Sequence, residues 1–143
     1  MKSAQIVLIE DNPGDVFLFE MALKENGIPY ELMRFNNGAE ALLVLCASKQ
    51  ANAFVPDAIL LDLNTPRSDG FAVLNKLRQF PRLSHVPVAV LTSSQASSDR
   101  HRAALQNVRF IQKAAHLDEF LATVGWAIRE MLYAEEKGMK APA

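Results

Sequence analysis

Asp62 closes the apolar run Ala58-Ile-Leu-Leu-Asp62, and the turn formers Leu-Asn-Thr-Pro66 follow at once. A short apolar run bounded by turn residues reads as a buried strand of a parallel sheet. Its carboxyl end is the edge where open α/β sheets bind ligands. Three other runs end in chemically active residues. Gln5-Ile-Val-Leu-Ile9 leads into Glu10-Asp11, Val88-Ala-Val-Leu91 into Thr92, and Val108-Arg-Phe-Ile111 toward Lys113. Each has a plain structural explanation by itself: a turn cap, an acidic pair at a helix start, a loop hydroxyl, a solvated lysine. Their recurrence at successive strand ends places carboxylates, a hydroxyl and an ammonium along one edge of one sheet.

Carboxylates packed this closely repel one another and tend to take up a proton. A hard divalent cation with oxygen ligands relieves that repulsion, and Mg²⁺ characteristically takes one or two carboxylates, waters and a phosphoryl oxygen. Phosphoryl transfer needs an in-line nucleophile and positive charge on the equatorial oxygens. An aspartate can be that nucleophile and form an aspartyl phosphate. Lys113 would then pair with the phosphoryl charge, and Thr92 would donate a hydrogen bond to one of its oxygens.

The elements that must position these groups alternate regularly. Strands are expected at 5–9, 30–35, 58–61, 88–91 and 108–111. Asn12 suits a helix N-cap and Pro13 the first helical turn, with Val16, Phe19 and Leu23 on one stripe and Gly27 as the stop. A second helix is expected over 38–48 with Ala41, Leu42 and Leu45 inward, and a third from Asp69-Gly70 to about Phe80 carrying Val73, Leu74 and Leu77. Ser97 or Ser98 can cap a fourth helix reaching about Asn107. Leu117, Phe120, Leu121, Val124, Ile128 and Met131 mark a long last helix to about Glu136. The tail from about Gly138 carries no pattern and is expected to fray. This alternation implies an α/β fold: a doubly wound parallel sheet covered on both faces, with right-handed crossovers.

Size and charge set the remaining bounds. The 143 residues suffice for one domain over 1–143, and half of them are hydrophobic. Fifteen basic and 16 acidic residues leave a formal charge of -1, so nothing points to nucleic acid or to a membrane surface. The single cysteine, Cys46, sits in an apolar run and is expected to be a buried structural thiol. No signal peptide is visible and no apolar stretch is long enough to span a bilayer, so a cytoplasmic protein is the expectation. His85, His101 and His116 lack metal-ligand spacing and read as surface residues.

The sequence resembles the receiver domains of two-component response regulators. The resemblance runs from about residue 5 to 133 and rests on Glu10-Asp-Asn-Pro13, Asp62-Leu-Asn-Thr-Pro66 with Asp69-Gly70, Thr92-Ser-Ser94 and Phe110-Ile-Gln-Lys113. It implies a five-stranded parallel sheet in the order 2-1-3-4-5 with five helices. It also implies Asp62 as phosphoacceptor, Glu10 and Asp11 as the acidic pair, and a Mg²⁺ site made by Asp11, Asp62 and the main-chain carbonyl of Asn64, with Glu10 reaching the ion through water. Thr92 and Phe110 would be the switch pair and Lys113 the phosphate partner. The acidic and acceptor motifs look most like stand-alone regulators paired with phytochrome-type sensor histidine kinases. Two positions depart from the family. Ala114 follows the lysine where proline is usual, joined there by a cis bond that costs about 2.5–4 kcal/mol before a non-proline residue. Phe110 replaces the commoner tyrosine and brings no hydroxyl to the surface.

The expected partner is therefore a histidine kinase, and a phosphorylated Asp62 would reshape the face of the fourth helix, fifth strand and last helix. With no output domain expected after the last helix, the signal would leave by protein–protein contact or by phosphate passed onward. Trp126 and Tyr133, seven apart on the last helix, suggest an interface and a homodimer. Phe17 and Met21, beside the core stripe of the first helix, could meet the kinase or merely widen that stripe. Two rival readings fit less well. A haloacid-dehalogenase-like phosphatase wants a second aspartate two residues after its nucleophile, where this chain has Asn64. A flavodoxin-like cofactor binder wants a Ser/Thr/Gly-rich phosphate loop where this chain has Glu10-Asp11.

Overall fold

A computed structural model describes residues 3–47, 54–65, 69–93, 97–106, 108–113 and 116–133. The chain alternates strand and helix throughout: β1 (Ala4–Ile9), α1 (Pro13–Glu25), β2 (Tyr30–Phe35), α2 (Gly38–Leu45), β3 (Ala58–Asp62), α3 (Gly70–Arg78), β4 (Val88–Thr92), α4 (Ser97–Leu105), β5 (Arg109–Gln112) and α5 (Leu117–Tyr133). All strands pair in parallel in the order β2-β1-β3-β4-β5, as expected from the resemblance. Every residue of β3 and β4 is buried, because helices cover both faces of the sheet centre.

Two apolar layers hold the sandwich. On one face Phe19, Ala22 and Leu23 of α1 and Phe120, Leu121, Val124 and Ile128 of α5 close over Ile6, Leu8 and Leu60. On the other, Ala41 and Leu45 of α2 and Phe71, Leu74 and Leu77 of α3 close over Val7, Ile9, Ile59 and Leu61. Alternate residues of one strand thus feed opposite layers, as strand geometry requires. An ion pair, Arg109 Nη1 to Glu130 Oε2 at 2.6 Å, joins β5 to the buried side of α5.

Local chemistry places the element ends. The Asn12 side chain accepts hydrogen bonds from the amides of Gly14 and Asp15, and Pro13 fills the first helical position. Gly27, at φ 65°, lets the chain reverse after α1 while the Ile28 amide reaches back to the Leu23 carbonyl. Asp69 caps α3 through the Phe71 amide.

Several boundaries differ from expectation. β3 and β4 each run one residue further, to Asp62 and Thr92, because those residues still pair with Leu91 and Gln112. β5 starts at Arg109 rather than Val108, whose amide instead closes the end of α4 on the Ala103 carbonyl. α2 ends at Leu45 and α3 at Arg78, where the amides of Cys46 and Gln79 bond back to Leu42 and Lys76. Cys46 is half-buried rather than enclosed, and burial pushes its thiol pKa up, so it is still not a reactive thiolate. His85, His101 and His116 are exposed, as expected. Pro66, Ser94, the Lys113–Ala114 bond, the expected ends of the fourth and last helices and the tail lie outside the described residues. Among the described residues no helix is long and apolar enough to cross a membrane.

Gly125 of α5 packs against the end of α1, where an added Cβ would overlap the side chain of Asn26, the residue that follows the helix. Asn26 cannot easily yield, since its Nδ2 donates to the Ala22 carbonyl at 2.7 Å and to the Leu121 carbonyl at 3.4 Å. Gly125→Val should therefore destabilise the fold by about 1–3 kcal/mol through overpacking. Urea unfolding should show a lower midpoint with an unchanged slope.

Candidate functional site

The carboxyl ends of β1, β3, β4 and β5 converge as the sequence implied. Lys113 follows β5 directly, and its amide donates to the Thr92 carbonyl at 2.7 Å, so its backbone continues the sheet ladder. Its Nζ lies 2.7 Å from Glu10 Oε1, 2.8 Å from Asp15 Oδ2 and 3.2 Å from Asp62 Oδ2. The Glu10 and Asp62 side chains are buried, whereas Asp15 is one third exposed. Asp62 is further oriented by the Asn64 amide, which donates to its Oδ1 at 2.9 Å. The Asn64 side chain turns the other way and donates to Thr92 Oγ1 at 3.2 Å. Thr92 is fully buried.

Carboxylate oxygens of Glu10, Asp11 and Asp62 all lie within 4.8 Å of one another. Burial, and then the neighbouring Asp62 carboxylate, pushes the Glu10 pKa up to about 7, against the opposing pull of Lys113. Lys113 is itself held well above the ordinary lysine range: its carboxylate partners outweigh the burial that would lower it. One ammonium facing this much negative charge leaves the cluster short of cation. A donor set made purely of hard oxygens fits a hard divalent ion.

Two contributors were not legible from strand ends. Asp15 sits in the first turn of α1, four residues after Asp11, on the side of the helix that faces Lys113. Its place in the first helical turn is legible from Asn12 and Pro13, but the direction in which it points is not. Arg34, on the edge strand β2, donates from Nε to the Glu10 carbonyl and from Nη2 to the Asp11 carbonyl, both at 3.1 Å. It braces the loop that carries the acidic pair, and nothing in its local sequence marks it. Phe110 lies apart from the carboxylates, half-buried on β5, with the Arg100 guanidinium 4.8 Å above its ring.

Residues 6–125 match the family model described as the response regulator receiver domain. The chain belongs to that family. This receiver domain is 39% identical over 95 residues to the response regulator Rcp1 of Synechocystis sp., a match covering 66% of this chain and 65% of Rcp1, just under two thirds of that relative's length. Among solved structures it resembles the phosphorylated cyanobacterial phytochrome response regulator RcpA, at 34% identity and a TM-score of 0.80, covering 94% of this chain and 96% of that one. It also resembles the Mn(2+)-bound form of Rcp1, at 31% identity and a TM-score of 0.79, with 98% and 99% covered. Membership carries the family chemistry, phosphorylation of an aspartate, and a divalent metal at the acidic cluster.

Because a cation must displace the Glu10 proton, metal affinity of this receiver domain should fall as pH drops through about 7. The ionised Glu10 carboxylate favours the ion through an intervening water, so affinity should be weaker at pH 6 than at pH 8, by at most about tenfold. Calorimetric Mg²⁺ titrations at the two pH values test this, and Glu10→Gln should flatten the dependence.

Proposed function

We propose that this receiver domain acts in the cytoplasm, where it accepts a phosphoryl group on Asp62 from a sensor histidine kinase, and that the modification changes its protein contacts. The observation that carries the reading is the placement of Asp62 Oδ2 3.2 Å from Lys113 Nζ, with buried Glu10 and Thr92 alongside. An Asp62 carboxylate oxygen attacks phosphorus as the phosphorus–nitrogen bond of the phosphohistidine breaks, and the imidazole nitrogen keeps the electron pair. Lys113 then faces an oxygen of the transferred group, and Thr92 donates to another. Mg²⁺, held by Asp11, Asp62 and the Asn64 carbonyl with Glu10 behind a water, would neutralise charge on the transferring group. The chain's own part beyond this is slow self-catalysed transfer and hydrolysis. Similarity to Rcp1 and to the phytochrome regulator RcpA supports a phytochrome-type kinase as donor.

Phosphorylation adds charge and acceptor oxygens at the floor of the site. Thr92 moves toward them and Phe110 swings into the space it leaves, altering the face of α4, β5 and α5. Replacing Asp62 with Asn should abolish labelling by acetyl phosphate in Mg²⁺; full-stoichiometry labelling of the variant would place the phosphate elsewhere.

The exposed face of α5 supports a homodimer. Trp126 on α5 is 55% exposed and Leu117 is 48% exposed, while Tyr133 is partly buried. Large exposed aromatics favour an interface over a solvated surface. Sedimentation should show dimers at tens of micromolar, with Trp126→Ala shifted toward monomer. Monomer alone for the parent protein, phosphorylated or not, would refute it.

A further inference from the structure

An ammonium has three N–H donors. Lys113 Nζ has three carboxylate neighbours, and it lies closer to Glu10 and Asp15, at 2.7 and 2.8 Å, than to Asp62 at 3.2 Å. Its donors are therefore committed before any phosphoryl group arrives. Esterification of Asp62 neutralises its carboxylate and frees the longest of these contacts, but the ammonium can turn fully toward the phosphoryl oxygens only if one of its two shorter contacts gives way as well. Glu10 is enclosed, so its release would leave a buried carboxylate without its cation. Asp15 is one third exposed and can pass into water at little cost. Its position is nonetheless well defined. Pro13 and the Asn12 cap fix the first turn of α1, and the Asp15 amide is itself bonded to Asn12 Oδ1 at 3.2 Å.

We propose that Asp15 is a positioning residue that acts through Lys113: it holds the ammonium toward α1 in the resting protein and is displaced when Lys113 turns to the phosphoryl oxygens. Asp15 is then a built-in competitor of the phosphoryl group. It sets how tightly the group is held without touching the acceptor or belonging to the metal cluster of Glu10, Asp11 and Asp62. This rests on the reading of Asp62 as phosphoacceptor.

Beryllium trifluoride, which adds to an aspartate carboxylate as a phosphoryl mimic, tests the inference in the presence of Mg²⁺. Asp15→Asn removes the competing charge and should bind the mimic about two- to fivefold more tightly than the parent protein, the range expected for a partly exposed ion pair. Asp15→Glu keeps the charge and should return the affinity to near the parent value. Mg²⁺ affinity measured without the mimic should not rise in either variant. Fluorine NMR supplies a readout that a merely structural role would not move: in Asp15→Asn one of the three bound-fluoride resonances, the one facing Lys113, should shift while the other two stay. Unchanged or weaker binding by Asp15→Asn, or a uniform displacement of all three resonances, would overturn the proposal. If the parent protein itself takes up no mimic, the acceptor reading of Asp62 fails instead, so the two failures are distinguishable.

Discussion

Everything at the working edge of this domain follows from negative charge gathered where it is least welcome. Glu10 and Asp62 are buried, Asp11 is close enough to share an ion with them, and Asp15 leans in from α1. Carboxylates so near one another cannot all be ionised without a cation. Lys113 supplies one charge from within the chain, and the rest must be supplied by a proton on Glu10 or by a metal. The site is therefore a place where cation, proton and phosphoryl group compete within a few ångströms, and that competition makes an ordinary aspartate receptive to reversible modification.

The sheet is what makes the crowding tolerable. Parallel strands buried on both faces bring four chain segments to one edge with little freedom. The ladder continues through Asp62 and Thr92, and past Thr92 by the Lys113 amide. Arg34 secures the loop after β1 from the neighbouring strand. Mutual repulsion of the acids then acts against a framework held by two apolar layers rather than against a flexible loop. Around the rim the ties are lighter. Arg102 of α4 lies 4.1 Å over the Phe71 ring and 3.6 Å from Asp69, and Arg100 covers Phe110. Such exposed cation–π and ionic contacts contribute little individually. They hold α4 less firmly than the apolar layers hold the sheet.

Much of this was readable before any coordinates, for a physical reason. Apolar runs that end in acids, a hydroxyl or a lysine report both a buried strand and what lies at its end, so Glu10, Asp11, Asp62, Thr92 and Lys113 announced themselves together. What escaped was anything set by helix geometry or by packing between distant segments. Asp15 faces the site because of where the first turn of α1 points, which periodicity at a helix start does not show. Arg34 matters through backbone carbonyls, which leave no trace in residue type. The start of β5 was misplaced because the Val108 amide serves the end of α4, a choice made by tertiary contacts rather than by β-propensity.

The Lys113 main chain is pinned to β4 while its four-carbon stem ends among oxygens of three different segments. Any exchange of partners by the ammonium is thus a matter of side-chain torsions, a smaller and faster motion than the collective displacement of α4, which falls on the microsecond scale or slower. On the proposed reading, charge at Asp62 would be rebalanced many times over before α4 moved. The hydrogen bond from the Lys113 amide to the Thr92 carbonyl keeps the lysine backbone in register while its side chain exchanges partners.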